Sequence, residues 1–393
     1  MNKNKEKVPK IRFPGFTEPW EQRKFGELVN QVIREVDKPD KPYWRLSVRS
    51  HAKGTFHQFV DEPQKVAMDK LYVVHEDDLV VNITFAWEHA IAVASKEDTG
   101  MLVSHRFPMY RADGKSDIGF LKYLVSQEYF RRKMDLISPG GAGRNRVLSK
   151  SEFLKIEVVV PCNKEEQQKI GEYFSNLDNL ITLHQRKLNH LKDKKKGLLQ
   201  KMFPKKGELV PELRFPEFTD PWEQRKLGEI VDFLDEQRKP LESGKRESGP
   251  YPYYGASGII DYVKDYIFYE ELILLSEDGA NIIDRNYRVC FLAQGKYWVN
   301  NHAHVLKAKK NYSNGFICES LERLNYDKYN TGTAQPKLNQ EVCRNINIWV
   351  PKLDEQKKIF AVLNDHDNLI TLHQRKLDHL KEQKKALLQQ MFI

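Results

Sequence analysis

The chain has 393 residues, too many for one ordinary core and enough for two or three domains. Its 64 Lys and Arg against 55 Asp and Glu leave a formal net charge of +9, a surplus that favours a polyanionic partner such as nucleic acid. With 40% hydrophobic, 11% aromatic and 30% charged residues the composition excludes a disordered chain and suits long solvated helices.

Residues 1–10 are polar and lack the apolar stretch of a secretory signal, and no run approaches the roughly 18 apolar residues of a membrane span. Cys162, Cys290, Cys318 and Cys343 are scattered without a C-x-x-C, which argues against a disulfide framework or a zinc cluster. A reducing, cytoplasmic setting with no membrane contact is expected.

Residues 12–27 read RFPGFTEPWEQRKFGE, and residues 214–229 read RFPEFTDPWEQRKLGE, 13 identities in 16 positions. A second pair of segments, 179–203 and 368–392, shares 20 identities in 25 around NLITLHQRKL. An internal duplication therefore organises the chain: each half is a variable body between two nearly constant ends. Each PWEQRK segment is expected to supply a packing tryptophan, Trp20 or Trp222.

In the first body, short β-branched or aromatic runs predict strands near 71–74, 79–83, 91–94 and 156–160, with a helix at 120–130. Residues 49–51 (with Arg49 and Ser50) and 84–87 (with Thr84 and Trp87) are candidate polar and aromatic contacts. Residues 138–150, SPGGAGRNRVLSK, combine flexible glycines such as Gly141 with Arg144, Asn145 and Arg146, side chains able to contact guanine or adenine edges. A solvated loop is the ordinary alternative for such a stretch.

After Pro161 the acidic EEQ of residues 165–167 marks a helix start, and DEQ at 354–356 repeats it after Pro351. Ile170, Phe174, Leu177, Ile181, His184, Leu188, Leu191, Lys195, Leu198 and Met202 are spaced alternately by four and three. Ile359, Leu363, His366, Ile370, His373, Leu377, Leu380, Lys384, Leu387 and Met391 repeat the pattern. A sustained heptad predicts two long helices pairing as a coiled coil, antiparallel because the chain must double back between them. His184 and His373 then set register rather than bind metal, and the KDKKK of residues 192–196 is a solvated face.

The second body carries predicted strands near 266–269, 272–275, 289–292, 298–299 and 346–350. Its polar loops include 251–258, YPYYGASG, with Tyr254 and Ser257, and 276–281, SEDGAN, with Asp278 and Asn281. Residues 331–340, TGTAQPKLNQ, offer Thr331, Thr333, Gln335 and Lys337 at the place in the second half that 138–150 occupies in the first. That recurrence, just before the last strand of each body, strengthens a nucleic-acid reading for both loops.

Catalytic signatures are missing. The nearest phosphate-loop candidate, Gly114-Lys115-Ser116, has Met109 where the first glycine belongs. No dinucleotide fingerprint, G-x-S-x-G, H-E-x-x-H or N-P-P-[YF] tetrapeptide appears, and His302 and His304 read as one face of a strand. This points to a binding subunit.

The repeated PWEQRKxGE, the EEQ or DEQ helix start, the repeated NLITLHQRKL and the loops YPYYGASG, SEDGAN and WVNNHAHVL together resemble the specificity subunit of type I restriction-modification systems. The resemblance covers essentially the whole chain. It implies a mixed α/β (α+β) fold with a pseudo-two-fold internal repeat: target recognition domains at 10–160 and 211–350, and long conserved helices at 161–206 and 351–393. Each domain would read one half of a split, asymmetric site in double-stranded DNA. The partners implied are two methylation and two restriction subunits, with S-adenosylmethionine, ATP and Mg on those partners and none on this non-catalytic chain. A stand-alone DNA-binding regulator or architectural protein, and an unfamiliar single-chain nickase or methyltransferase, are the rival classes.

Overall fold

The computed structural model of the protein describes residues 8–139, 146–205 and 207–393. It falls into two compact units: unit 1 is Met1–Gln185 with Arg375–Ile393, and unit 2 is Arg186–Gln374. The long helices, Lys164–Lys201 and Leu353–Met391, are each divided between the units. Both begin with acidic side chains in the first turn, Glu165 and Glu166 or Asp354 and Glu355, where the positive end of the helix dipole favours them.

In unit 1 the strand Glu21–Lys24 pairs antiparallel with Glu157–Val160. A four-stranded sheet follows in the order Val29–Val32, Met109–Ala112, Leu79–Val81, Ile91–Val93. Leu79, Val80 and Val81 are fully buried, as a central strand covered on both faces requires. A five-stranded sheet orders Glu35–Asp37, Lys70–Val73, Leu102–Val103, Tyr43–Val48 and Thr55–Val60.

The helix predicted at 120–130 is two helices, Ile118–Val125 and Glu128–Leu136. Asp117 caps the first by accepting from Phe120 N. The break has a local cause. Ser126 Oγ and Gln127 Nε2 each donate to the Tyr123 carbonyl at 2.8 Å, taking over an acceptor that a continuing helix would use.

Unit 2 repeats this frame. Glu223–Lys226 pairs with Asn347–Val350, and the four-stranded sheet runs Val231–Phe233, Ala303–Ala308, Leu272–Ser276, Cys290–Ala293. Its second sheet has four strands, Gly258–Val263, Ser248–Gly255, Lys296–Val299 and Phe268–Tyr269. Sequence patterning misses the first two because prolines and glycines fill 248–255, and Pro is ordinarily demoted from strand interiors. Register shifts between Ser248 and Tyr251, and between Tyr253 and Tyr254, accommodate them. Residues 251–255 are therefore strand, not loop.

One buried clamp recurs in both units. Arg12 donates to both Glu166 carboxylate oxygens at 2.6 and 2.8 Å, and Trp20 Nε1 donates to Glu166 at 3.3 Å. Arg214 donates to Glu355 at 2.8 and 2.9 Å, and Trp222 Nε1 donates at 3.3 Å. The next residue ties the body's own helix to the long helix: Gln167 accepts from Asp117 N, and Gln356 from Ser313 N, both at 2.9 Å. Both carboxylates and both glutamines are buried. Beyond marking a helix start, EEQ and DEQ thus join opening segment, body and helix.

The end of a long helix completes each core. Phe392 stacks on Phe120 at 5.4 Å and meets Trp20 edge-on in unit 1. Phe203 stacks on Phe316 at 5.4 Å and meets Trp222 edge-on in unit 2. Along the first helix Ile170, Phe174, Leu177, His184 and Leu188 are buried, with Ile181 and Leu191 half-buried. Along the second, Ile359, Leu363, Leu377 and Leu380 are buried, with Ile370 and His373 half-buried. Lys384 pairs with Asp178 at 2.5 Å in unit 1, and Lys195 with Asp367 at 2.6 Å in unit 2.

Candidate nucleic-acid interface

Each unit gathers three loops at one end of its central sheet, and the same backbone bonds join them. In unit 1 Ile83 N donates to Arg106 O at 3.0 Å and Leu148 N donates to Ile83 O at 2.9 Å. In unit 2 Glu277 N donates to His302 O at 2.9 Å and Leu338 N donates to Glu277 O at 2.7 Å. Ile83 thus corresponds to Glu277, Arg106 to His302 and Leu148 to Leu338. Leu148 and Leu338, each in a stretch predicted from recurrence before the last strand, hold matching places.

The unit 1 rim is extended by the turn after Tyr43–Val48. His51 N and Ala52 N donate to Glu88 O and His89 O, both at 2.8 Å. His51 and Ala52 have φ of 62° and 50°, left-handed values that non-glycine residues adopt only where surrounding bonds hold them. His89, buried, bonds Val125 O through Nε2 at 2.6 Å, and burial pushes its pKa down, so it acts as a neutral tie beneath the loop.

Several predicted readers on this rim are engaged internally. The Arg49 guanidinium donates to Thr55 O and lies 5.0 Å from the Phe56 ring centroid. Ser50 donates to Glu88 at 2.5 Å, and the Thr84 hydroxyl to Asn82 at 2.7 Å. Arg146 lies over Trp87 and donates to Ser138 O at 3.0 Å and to the Asp135 carboxylate. Gly141, Arg144 and Asn145 lie outside the described residues.

In unit 2, Tyr254 sits in a strand with its ring stacked on Phe291 at 5.8 Å and edge-on to Tyr297, a packing position. Ser257 is exposed in the following turn. Asn281 clamps its own loop, donating to Tyr287 O at 3.1 Å and accepting from Tyr287 N at 2.8 Å. Asp278 faces His302 Nδ1 at 2.9 Å. The 331–337 loop closes on itself: Thr331 N donates to Lys337 O at 2.8 Å, and Asn330 Oδ1 accepts from Gly332 N and Lys337 N at 2.9 Å. A Cβ at Gly332 would fall 1.8 Å from Gln335 O, so glycine is required there. The closed loop leaves Thr331, Thr333, Gln335 and Lys337 exposed, with Lys337 Nζ 3.5 Å from Glu277.

Beneath that loop lies a residue the strand-face reading missed. His302 lies in a turn and is exposed, whereas His304 is 1% exposed within Ala303–Ala308. His304 Nδ1 is 2.6 Å from Asp235 and Nε2 is 2.7 Å from Leu338 O. A carboxylate and a carbonyl both accept, so both ring nitrogens must donate and the ring is an imidazolium. Burial alone lowers its pKa, but the hydrogen bonds and charges of Asp235 and Cys343 outweigh that and push it up to about 10. Gln340 adds a bond to Asp235 at 2.8 Å. This ionic post holds the exposed loop to the sheet. Two histidines separated by one residue give no sequence signal that only one is buried.

The rims therefore present short, backbone-fixed loops bearing polar and cationic side chains over a rigid sheet, an arrangement suited to recognition. Among the described residues no group of three or more His, Cys, Asp or Glu side chains could hold a metal ion, and no helix is long and apolar enough to cross a membrane.

Two stretches, residues 18–193 and 219–382, match the type I restriction modification DNA specificity domain, Methylase_S. The chain belongs to this family, as a specificity subunit with two copies of the domain. It is 24% identical over 415 residues to the type I restriction enzyme MjaVIII specificity subunit of Methanocaldococcus jannaschii, covering 94% of this chain and 91% of that one. It is 36% identical over 142 residues to the S.HindORF215P specificity subunit of Haemophilus influenzae, a match spanning 36% of each chain. The fold resembles the crystal structure of the type I restriction-modification S subunit from M. genitalium, with a TM-score of 0.70 and 15% identity, covering 98% of this chain and 99% of that one.

Proposed function

We propose that this chain is the non-catalytic subunit that selects DNA sequence for a type I restriction-modification complex, with each rim reading one half of a split, asymmetric site. The observation that carries this is the recurrence of one three-loop platform, bonded identically through Ile83 and Glu277, with different side chains on it. Identical platforms give equivalent docking to one duplex geometry, and different side chains give different half-sites. The repeated opening segments and helices supply equivalent surfaces for two methylation subunits, and two restriction subunits complete the complex. S-adenosylmethionine, ATP and Mg belong to those partners, whose chemistry is adenine methylation and DNA cleavage.

The long helices pair as an antiparallel coiled coil with pseudo-two-fold symmetry and hold the rims apart. Supporting this, Asp178 of the first helix meets Lys384 of the second, while Lys195 of the first meets Asp367 of the second. Such a pair is a ruler, fixing a half-site separation of about 34 Å, one duplex turn. Inserting four residues after Lys195 is expected to change the spacer and leave both half-sites intact; an unchanged spacer in an active complex would rule out the ruler. The main test is single-molecule methylation mapping in cells with matched methylation subunits, with and without this chain. A split motif carrying N6-methyladenine in both halves is expected, and its absence despite an assembled complex would refute the reading.

A further inference from the structure

The unit 1 rim has a cationic side chain that is not tied back into the fold. Arg106 is exposed, and among the described residues no side-chain hydrogen bond or ion pair engages its guanidinium. Its backbone, by contrast, is fixed: its carbonyl accepts from Ile83 N at 3.0 Å, its N–H donates to Ser104 Oγ at 3.3 Å, and Phe107 N donates to Ser104 O at 2.9 Å. Arg106 also lines an open cleft of about 390 Å³ with Arg45, Gln58, Asn82, Thr84 and Phe85. Arg45, Arg49 and Arg146, the other described arginines on this rim, are bonded to Gln58, to Thr55 O, and to Ser138 O and Asp135. A free planar fork on a rigid backbone is the arrangement that reads a guanine edge through O6 and N7.

The backbone bonds that make Ile83 correspond to Glu277 place His302 at the position of Arg106 in unit 2. His302 is likewise exposed, with Nδ1 facing Asp278 at 2.9 Å and Nε2 without a partner among the described residues. The position keeps its exposure and backbone fixing in both units but changes its chemistry. That is the behaviour of a residue that distinguishes half-sites rather than one that binds the phosphates common to both.

We infer that Arg106 is a specificity-determining residue of the first rim, contacting the major-groove edge of a guanine, and that His302 holds the corresponding position in the second. The inference rests on the DNA-reading function proposed above. The test uses the full chain assembled with its methylation subunits, comparing methylation motifs of the wild type with Arg106→Ala, Arg106→Lys and His302→Ala. Both Arg106 variants are expected to relax one G·C position in one half-site, with discrimination there falling about 5- to 140-fold. His302→Ala is expected to relax a position in the other half-site only. Lysine keeps the charge but not the fork, so a motif preserved by Arg106→Lys, with binding weakened uniformly by Arg106→Ala, would mark a phosphate contact and overturn the assignment. Unchanged motifs in both Arg106 variants would overturn it as well. In either case a split motif from the wild type would leave the proposed function standing; failure of the wild type to give one would fell that reading itself.

Discussion

Unit 1 surrounds its half-buried seam carboxylate differently from unit 2. Asp178 accepts from Tyr123 OH at 2.8 Å and pairs with Lys384 at 2.5 Å. Asp367 pairs with Lys195 at 2.6 Å and Arg288 at 3.0 Å, and Glu319, placed after its helix cap as Tyr123 is after Asp117, pairs with Arg288 at 2.6 Å. The lysine and aspartate belong to the long helices and are the same in both units; the third partner belongs to the body and is not. The difference teaches that duplication is loosest at the seam: the contact made wholly by the constant segments is kept, as is the body phenylalanine under each helix end, while the side chain that a body turns toward the seam is Tyr123 in one unit and Glu319 in the other.

The sharpest way to break this comparison is to remove the aromatic that each helix end inserts. Phe392→Ala empties the slot among Trp20, Phe120 and Phe174, and Phe203→Ala the slot beside Trp222 and Phe316. Each is expected to cost about 3–5 kcal/mol, the usual penalty for truncating a buried phenylalanine. Hydrogen exchange followed by mass spectrometry should show Phe392→Ala loosening residues of unit 1 and Phe203→Ala those of unit 2. Equal loosening of both units by both variants would refute independent cores.

A graded effect, smaller per pH unit, separates the units by pH, because among the described residues it is the unit 2 rim loop that is held on an imidazolium. His304, with its pKa pushed up to about 10, is protonated more readily folded than unfolded. Its stabilising contribution is complete below the unfolded value near 6.5, falls as pH rises and is gone above about 10. Unit 2 should therefore weaken by up to about 1.4 kcal/mol per pH unit across that window from this group. Thermal melts of the wild type and His304→Gln between pH 6.5 and 10 are expected to converge with rising pH. A constant gap would show that His304 carries no linked proton. In unit 1 the place of His304 is taken by Pro108, and the buried histidine of that rim, His89, is held neutral by burial and adds no such slope across this window.

How much of this could be read in advance follows from where the information lies. The repeated ends were legible because identity at a fixed offset needs no structure, and the heptad placed the buried faces of both helices because 3.5-residue spacing is local. The platform was half legible: residues 331–340 were singled out by their position, but the bonds of Ile83 and Glu277 that unite three loops join residues far apart in sequence. Loop position and side-chain chemistry do not reveal which arginines are engaged within the fold. Arg49, Arg146 and Arg106 look alike as letters, and only tertiary acceptors, Thr55 O for one and Ser138 O with Asp135 for another, distinguish an arginine that braces a loop from one that faces outward. Tyr254 reads as a loop residue in the sequence because two prolines mask a bulged strand.

The finest test returns to the seam. Glu319→Gln removes the carboxylate that pairs with Lys195 and Arg288, charged bonds worth about 1.5–3 kcal/mol in a site this buried. Tyr123→Phe keeps the ring that lies 5.2 Å from Lys384 Nζ and removes only the hydroxyl. Asp178 would retain its ion pair with Lys384 and lose one hydrogen bond, so a cost of about 0.5–1.5 kcal/mol is expected. The two changes, measured by denaturant unfolding, should differ because the same place in the frame holds a charge in one unit and a neutral donor in the other. If Tyr123→Phe proved as costly as Glu319→Gln, the hydroxyl would be bearing part of the charge balance at Asp178, and the two seams would be closer in kind than their side chains suggest.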